Sequence, residues 1–238
     1  MPPHWTDRQT CDGGSLGGSF MDTKRIAVTI ARQMGAGGVI LGQRIARRLG
    51  YAYLDRVILK TVAERTGISD TELSRWDEHL SRFWERLAET FVVAPPEAVY
   101  TPAPIHIGVR DQQLFQLESQ IISEAASRHN VVVIGRGGFW VLRDHPGLVS
   151  VYLHAPLRDR IPRVMQAHQI PDERAARTLI EHTDADRMRF IHQMTGRSAN
   201  DALGYHLSID TSRAGMDLAE DMVVKLAERV QARIAPGQ

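Results

Sequence analysis

The stretch from Arg25 to Asp55 constrains this chain more than any other. A β-branched apolar run, Arg25-Ile-Ala-Val-Thr-Ile30, leads into Ala31-Arg-Gln-Met-Gly-Ala-Gly-Gly38. Residues 39–49 then place Leu41, Ile45 and Leu49 at helical spacing, with Arg44, Arg47 and Arg48 expected to face out and Gly50 as a stop. A short run of this kind reads as a buried strand, and the periodic segment as a helix packed on it. Residues 51–54 read as a second strand ending at Asp55, completing a βαβ-type unit. Glycines between strand and helix let backbone N–H groups turn inward, where the helix N-terminus adds partial positive charge. Phosphate binding is the functional reading of such a loop; a tight turn is the plainer one.

The same rhythm returns later in the chain. Val131-Val-Val-Ile134 reads as a buried strand ending in Gly135-Arg-Gly-Gly138, residues 148–153 as another, and 205–209 as a last one. Helices are predicted over 111–128, 157–168, 172–195 and 216–234. The first buries Leu114, Leu117, Ile121 and Ala125; the last sets Leu218, Met222, Leu226 and Val230 on one face. Five strands alternating with helices imply a parallel sheet covered on both sides. Residues 60–110 differ. Ser69 and Glu72 fit a capping box, an apolar helical stripe follows, and Pro95, Pro96, Pro102 and Pro104 break the chain. This segment reads as a helical insertion over the core, and residues 1–22 as a disordered tail preceding a single domain over 23–238.

Composition removes several alternatives. A net charge of +1 over 238 residues gives no field suited to nucleic acid or a membrane surface. One cysteine, Cys11, leaves no disulfide framework or cysteine-rich zinc site. No apolar run approaches the roughly 20 residues that span a bilayer, and the N-terminus lacks the apolar stretch of a signal peptide, so the expected location is the cytoplasm. The only lysines are Lys24, Lys60 and Lys225, so arginine is the residue expected to hold any phosphate. No His-Glu-x-x-His or other clear ligand spacing points to a metal held by protein groups. The stripe of Trp76, Phe83 and Trp84 reads as core or dimer packing sooner than as a base-stacking platform.

Neither common phosphate-loop pattern is met. G-x-G-x-x-G is satisfied at Gly35 and Gly37, but Ile40 stands third. In G-x-x-x-x-G-K-[ST], Gly37 fits the second glycine, while Arg32 stands at the first, Gly38 at the lysine and Val39 at the hydroxyl. The wider pattern is more specific. Ala31-Arg-Gln-Met-Gly-Ala-Gly-Gly38, Leu49-Gly50-Tyr51, Tyr53-Leu-Asp55, Val133-Ile-Gly-Arg-Gly-Gly138, Val151-Tyr-Leu-His-Ala155, Asp186-Arg187 and Tyr205-His-Leu-Ser-Ile-Asp-Thr211 follow in order. Over about residues 24–230 the chain resembles the cytidylate kinase-like family, whose loop reads S-R-Q-x-G-S-G-G.

The resemblance implies a P-loop nucleoside-monophosphate-kinase fold: a five-stranded parallel sheet flanked by helices, a helical acceptor-binding insertion at 60–110, and an arginine-bearing lid at about 163–187. It implies that Gly35, Ala36, Gly37, Gly38, Val39 and Ile40 hold the donor phosphates. Asp55, Arg136 and Asp186 would hold the acceptor, and Arg32, Arg160, Arg163 and Arg189 would stabilise the transferring group. The sequence departs from the family's cytidylate kinases at Gly137, where an Asp follows the arginine, and at His182 and Thr183, where an Arg-Asp pair stands. ATP and Mg²⁺ are the implied cofactors, the ion held mainly through phosphates and water with an acid such as Asp55. Small nucleotides are the implied partners, with a homodimer kept open. Two functions stand side by side: ATP-dependent transfer to a nucleoside monophosphate, CMP by the family's name, and a non-catalytic nucleotide binder that kept the fold. A dinucleotide oxidoreductase is disfavoured by Ile40 and the lid-like arginines.

Overall fold

The computed structural model describes residues 24–55 and 109–235. The expected tail at 1–22, nearly all of the insertion at 60–110 and the Trp76/Phe83/Trp84 stripe lie outside those residues.

Five strands form one sheet: β1 (Ala27–Arg32), β2 (Ala52–Leu54), β3 (Val131–Ile134), β4 (Leu148–His154) and β5 (Leu207–Asp210), in the order β2-β3-β1-β4-β5. Every pairing is parallel, with Ala27 opposite both Val131 and Leu148, and Val151 opposite Leu207. This is the fold expected of P-loop nucleoside-monophosphate kinases. Parallel neighbours need crossovers, which the helices supply: α1 (Gly38–Leu49), α2 (Val109–Arg128), α3 (Gly138–Val141), α4 (Leu157–His168), α5 (Glu173–Thr195) and α6 (Thr211–Ile234).

The central strands are buried on both faces, so they lack alternation and read as continuous apolar runs. Ile26, Val28, Ile30, Val131, Val132, Val133, Val149 and Val151 are fully inaccessible. β1 begins two residues later than its apolar run and continues through Ala31 to Arg32, because Arg32 still pairs with Leu153. That extension sets Arg32 at the carboxyl edge of the sheet.

Arg48 faces out as expected and Arg44 does so in part, both in ion pairs with α6, whereas the expected apolar face of α6 needs correction. Arg44 bonds Asp217 at 2.5 Å and Glu220 at 2.6 Å, and Arg48 bonds Asp221 at 2.6 Å, tying α1 to α6. On α6, Leu218 and Met222 are exposed, while Ala219, Val223, Val224 and Ala227 face the sheet. Small and β-branched side chains permit the close approach that larger ones would block. Leu226 and Val230 do pack at the margin of the core.

Candidate functional site

Beyond Arg32 the backbone turns sharply. Gly35 (φ 78°) and Gly37 (φ 80°) adopt the left-handed region that glycine enters without strain, and Gly37 caps α1 with no side-chain acceptor. Among the described residues no protein acceptor takes the N–H of Gly37, Gly38 or Ile40. These donors, with the N-terminal end of α1 behind them, are arranged for an anion. The Val39 side chain goes into the core and Ile40 is exposed, so both can serve a phosphate only through the backbone. A methyl group on Gly35 would lie 2.9 Å from Val164 Cγ2 and 3.0 Å from the Arg160 carbonyl, which shows how closely α4 covers the loop.

Arg160 is buried, at 7% exposure, and is not a mobile cation. Its Nη1 donates to Asp184 Oδ2 at 2.6 Å and to the Met34 carbonyl at 3.1 Å. The other oxygen of Asp184 accepts the Met34 N–H at 2.7 Å. Both backbone polar groups of Met34 are therefore held by one ion pair spanning α4 and α5. Around it Met34 packs with Ile161, Val164, Ala176 and Ile180. Arg163 does lie over the loop: Nη1 donates to the Gly35 carbonyl at 3.3 Å, and Nη2 to Ser212 Oγ at 3.1 Å. Its guanidinium bridges the loop and the start of α6.

A cavity opens beside the loop at the carboxyl ends of β1 and β3. Tyr152 of β4 contributes to one wall and α5 to another. Arg136 borders it with a left-handed backbone (φ 53°). Its Nε donates to Glu118 Oε2 at 2.6 Å, its Nη2 bonds the same oxygen, and its guanidinium lies 4.4 Å from the centre of the Phe190 ring. Glu118, on the otherwise apolar face of α2, is 1% exposed and neutralises Arg136 from beneath. Tyr152 Oη donates to Asn200 Oδ1 at 2.7 Å, and Tyr205 Oη to the Ala199 carbonyl at 2.9 Å. Burial pushes both phenols above their ordinary range; at Tyr152 the nearby Asp184 adds to the effect and Arg160 and Arg187 oppose it. Thr29 Oγ1 is buried on the cavity wall with no partner among the described residues.

The cavity thus brings together Arg32, Arg136 and Asp186 of the expected set. The glycine loop continues from the lining residues Arg32 and Gln33, and Arg163 meets that loop at the Gly35 carbonyl. Arg189 points outward and bonds Asp186 at 2.8 Å. Asp55 is buried at the end of β2 and does not border the cavity. Sequence reasoning missed Asp184, Glu118, Tyr152, Asn200 and Tyr205. Glu118 carried a signal, since a carboxylate on a buried helix stripe requires a buried cation. Asp184 carried none, because its partners come from segments 24 and 150 residues away.

Comparison with known proteins agrees with this fold. Residues 27–213 match the family model described as the cytidylate kinase-like family. A cytidylate kinase of Pyrococcus horikoshii is 25% identical over 194 residues, spanning 81% of this chain and 83% of that protein. One from Ignicoccus hospitalis is 20% identical over 200 residues, spanning 84% and 97%. Among solved structures, an uncharacterized protein from Eubacterium ventriosum superposes with a TM-score of 0.63 at 18% identity, covering 86% of this chain and 99% of that one; the likeness is one of fold.

Proposed function

This chain belongs to the cytidylate kinase-like family, and from that premise we propose that it transfers the γ-phosphoryl group of ATP to a nucleoside monophosphate, with CMP the first acceptor to try. The observation carrying the reading is the uncapped glycine cradle at the start of α1, which adjoins a polar and aromatic cavity across the carboxyl edge of the same sheet. Open α/β sheets bind ligands at that edge.

In the proposed reaction an acceptor phosphate oxygen attacks the γ-phosphorus. One P–O bond forms to the acceptor and one breaks to ADP, which leaves with the electron pair. Little covalent chemistry falls to the protein, so positioning and charge dominate. The backbone from Gly35 to Ile40 holds the donor, Arg163 closes over it, and Arg32 stands between donor and acceptor. Arg136 and Asp186 border the acceptor, while Arg189 and Asp55 stand further off. Arg160 acts through the loop it positions. Among the described residues no three His, Cys, Asp or Glu side chains converge on a metal position. In this reading magnesium would enter with the nucleotide, mainly on phosphate oxygens and water, and would supply charge neutralisation. We place the protein in the cytoplasm, with small nucleotides as its partners; among the described residues no helix is long and apolar enough to cross a membrane.

A second reading, nucleotide binding without turnover, is favoured by the pairing of Arg136 with Glu118 and Arg160 with Asp184, which leaves two of the family's cations already neutralised. The deciding experiment incubates the protein with ATP, Mg²⁺ and each nucleoside monophosphate in turn, followed by chromatography. A diphosphate formed together with ADP supports the kinase and names its acceptor. Folded protein that binds ATP and yields no product with any acceptor would move the reading to binding alone.

A further inference from the structure

In a G-x-x-x-x-G-K-[ST] loop the phosphate-binding cation is the first residue of the helix. Here that position is Gly38, and the space its side chain would fill is taken. A methyl group on Gly38 would lie 2.7 Å from Arg32 Cγ and 3.1 Å from Arg32 Cβ and Cδ. Arg32 itself stands where such a loop has its first glycine. Its stem runs across the bare Cα of Gly38, and Nη1 comes to rest against the bare Cα of Gly135. The side chain is thus threaded between two glycines, one in the donor loop and one at the start of the acceptor loop.

Its electrostatic state differs from that of its neighbours. Arg136, Arg160, Arg163 and Arg189 all have protein partners. Among the described residues the Arg32 guanidinium has no hydrogen bond or ion pair, though it borders the cavity at the edge of the central strand. A cation packed between two glycines, beside the backbone donors of the loop, is preorganised for an anion.

We propose that Arg32 is the residue that grips the terminal phosphates of the donor, its side chain taking the place and role of the helix lysine. The loop has kept its cation by moving it from the first residue of α1 to the last residue of β1, while the glycine moved the other way. This rests on the nucleotide-kinase reading.

The test is binding of ATP, ADP and AMP by titration calorimetry to the wild type, Arg32→Ala, Gly38→Lys, and the double variant Arg32→Gly/Gly38→Lys. Thermal melts confirm that each is folded. Removing one charge-assisted phosphate contact should weaken ATP and ADP roughly 10- to 100-fold and leave AMP within a few-fold. Gly38→Lys alone should weaken ATP as well, because its stem meets that of Arg32. The double variant should recover most of the lost preference for ATP over AMP, since the lysine then has both space and task. If Arg32→Ala keeps the wild-type preference, or the double variant stays as weak as Arg32→Ala, the exchange is wrong while the kinase reading stands. If the wild type itself binds no ATP, that reading falls and the proposal with it.

Discussion

Asp184 shows how one side chain can organise a loop that contains no acid. Its two oxygens engage the Met34 N–H and the Arg160 guanidinium, and Arg160 returns to the Met34 carbonyl. Removing one member of a buried pair strands the other without compensation. Asp184→Ala should therefore cost about 3 kcal/mol in urea unfolding, with ATP affinity falling as the loop loosens. Asp184→Asn keeps an acceptor for Met34 and should lose distinctly less. Equal losses in the two variants would show that charge outweighs the hydrogen bond to the loop. The Gly37 backbone makes a comparable demand. Its φ of 80° and the Met216 side chain 3.1 Å from a methyl position both oppose a larger residue, so Gly37→Ala should reduce ATP binding more than stability.

At the scale of elements, helix orientation was the least legible property. On α6 the apolar residues of highest volume suggested one stripe, yet the sheet is met by Ala219, Val223, Val224 and Ala227. The kink at Gly215 (φ 71°, ψ 168°) resets the helix phase after its first turn. The ion pairs from Arg44 and Arg48 fix which side of α6 faces α1. Leu218→Gln should change stability by no more than about 0.5 kcal/mol, as expected for a surface site. Val223→Ala should cost roughly 2 kcal/mol through lost burial and the cavity left behind. Thermal melts of the two variants settle which face is buried.

For the molecule as a whole, stability should depend on pH through its half-buried histidines. The His145 ring donates from Nε2 to the Ala126 carbonyl at 3.3 Å, and Nδ1 accepts the Gly147 N–H at 3.1 Å. A proton on Nδ1 would meet that N–H head-on. Burial lowers the pKa of His145, offset only in part by the Ala126 carbonyl, and burial with Arg25 and Arg128 lowers that of His129. Because the unfolded chain takes up protons more readily at these sites, stability is present above the ordinary histidine value of about 6.5 and is lost as pH falls through it. Melting temperature should drop between pH 7.5 and pH 5, and His145→Gln should flatten part of that drop. An unchanged slope in the variant would remove His145 as its source.

The sequence by itself determined the five-stranded parallel sheet, the helices between its strands and the position of the glycine-rich loop between the first strand and first helix. These follow from local patterns: β-branched runs too short for helices, apolar residues at helical spacing, and glycines where a strand meets a helix. Of the residues that the family resemblance marks, Arg32 ends β1, Arg136 follows β3 and Asp186 lies within α5, and all three border the cavity. Only the tertiary structure decided what each charge does. Arg160 and Arg136 spend their charge on Asp184 and Glu118, partners far away in the chain, while Arg32 has none among the described residues and lies between two glycines. Pairing of that kind depends on which segments the sheet order brings together. In the order β2-β3-β1-β4-β5, β1 lies between two strands that come more than a hundred residues later in the chain, a separation that local spacing does not encode.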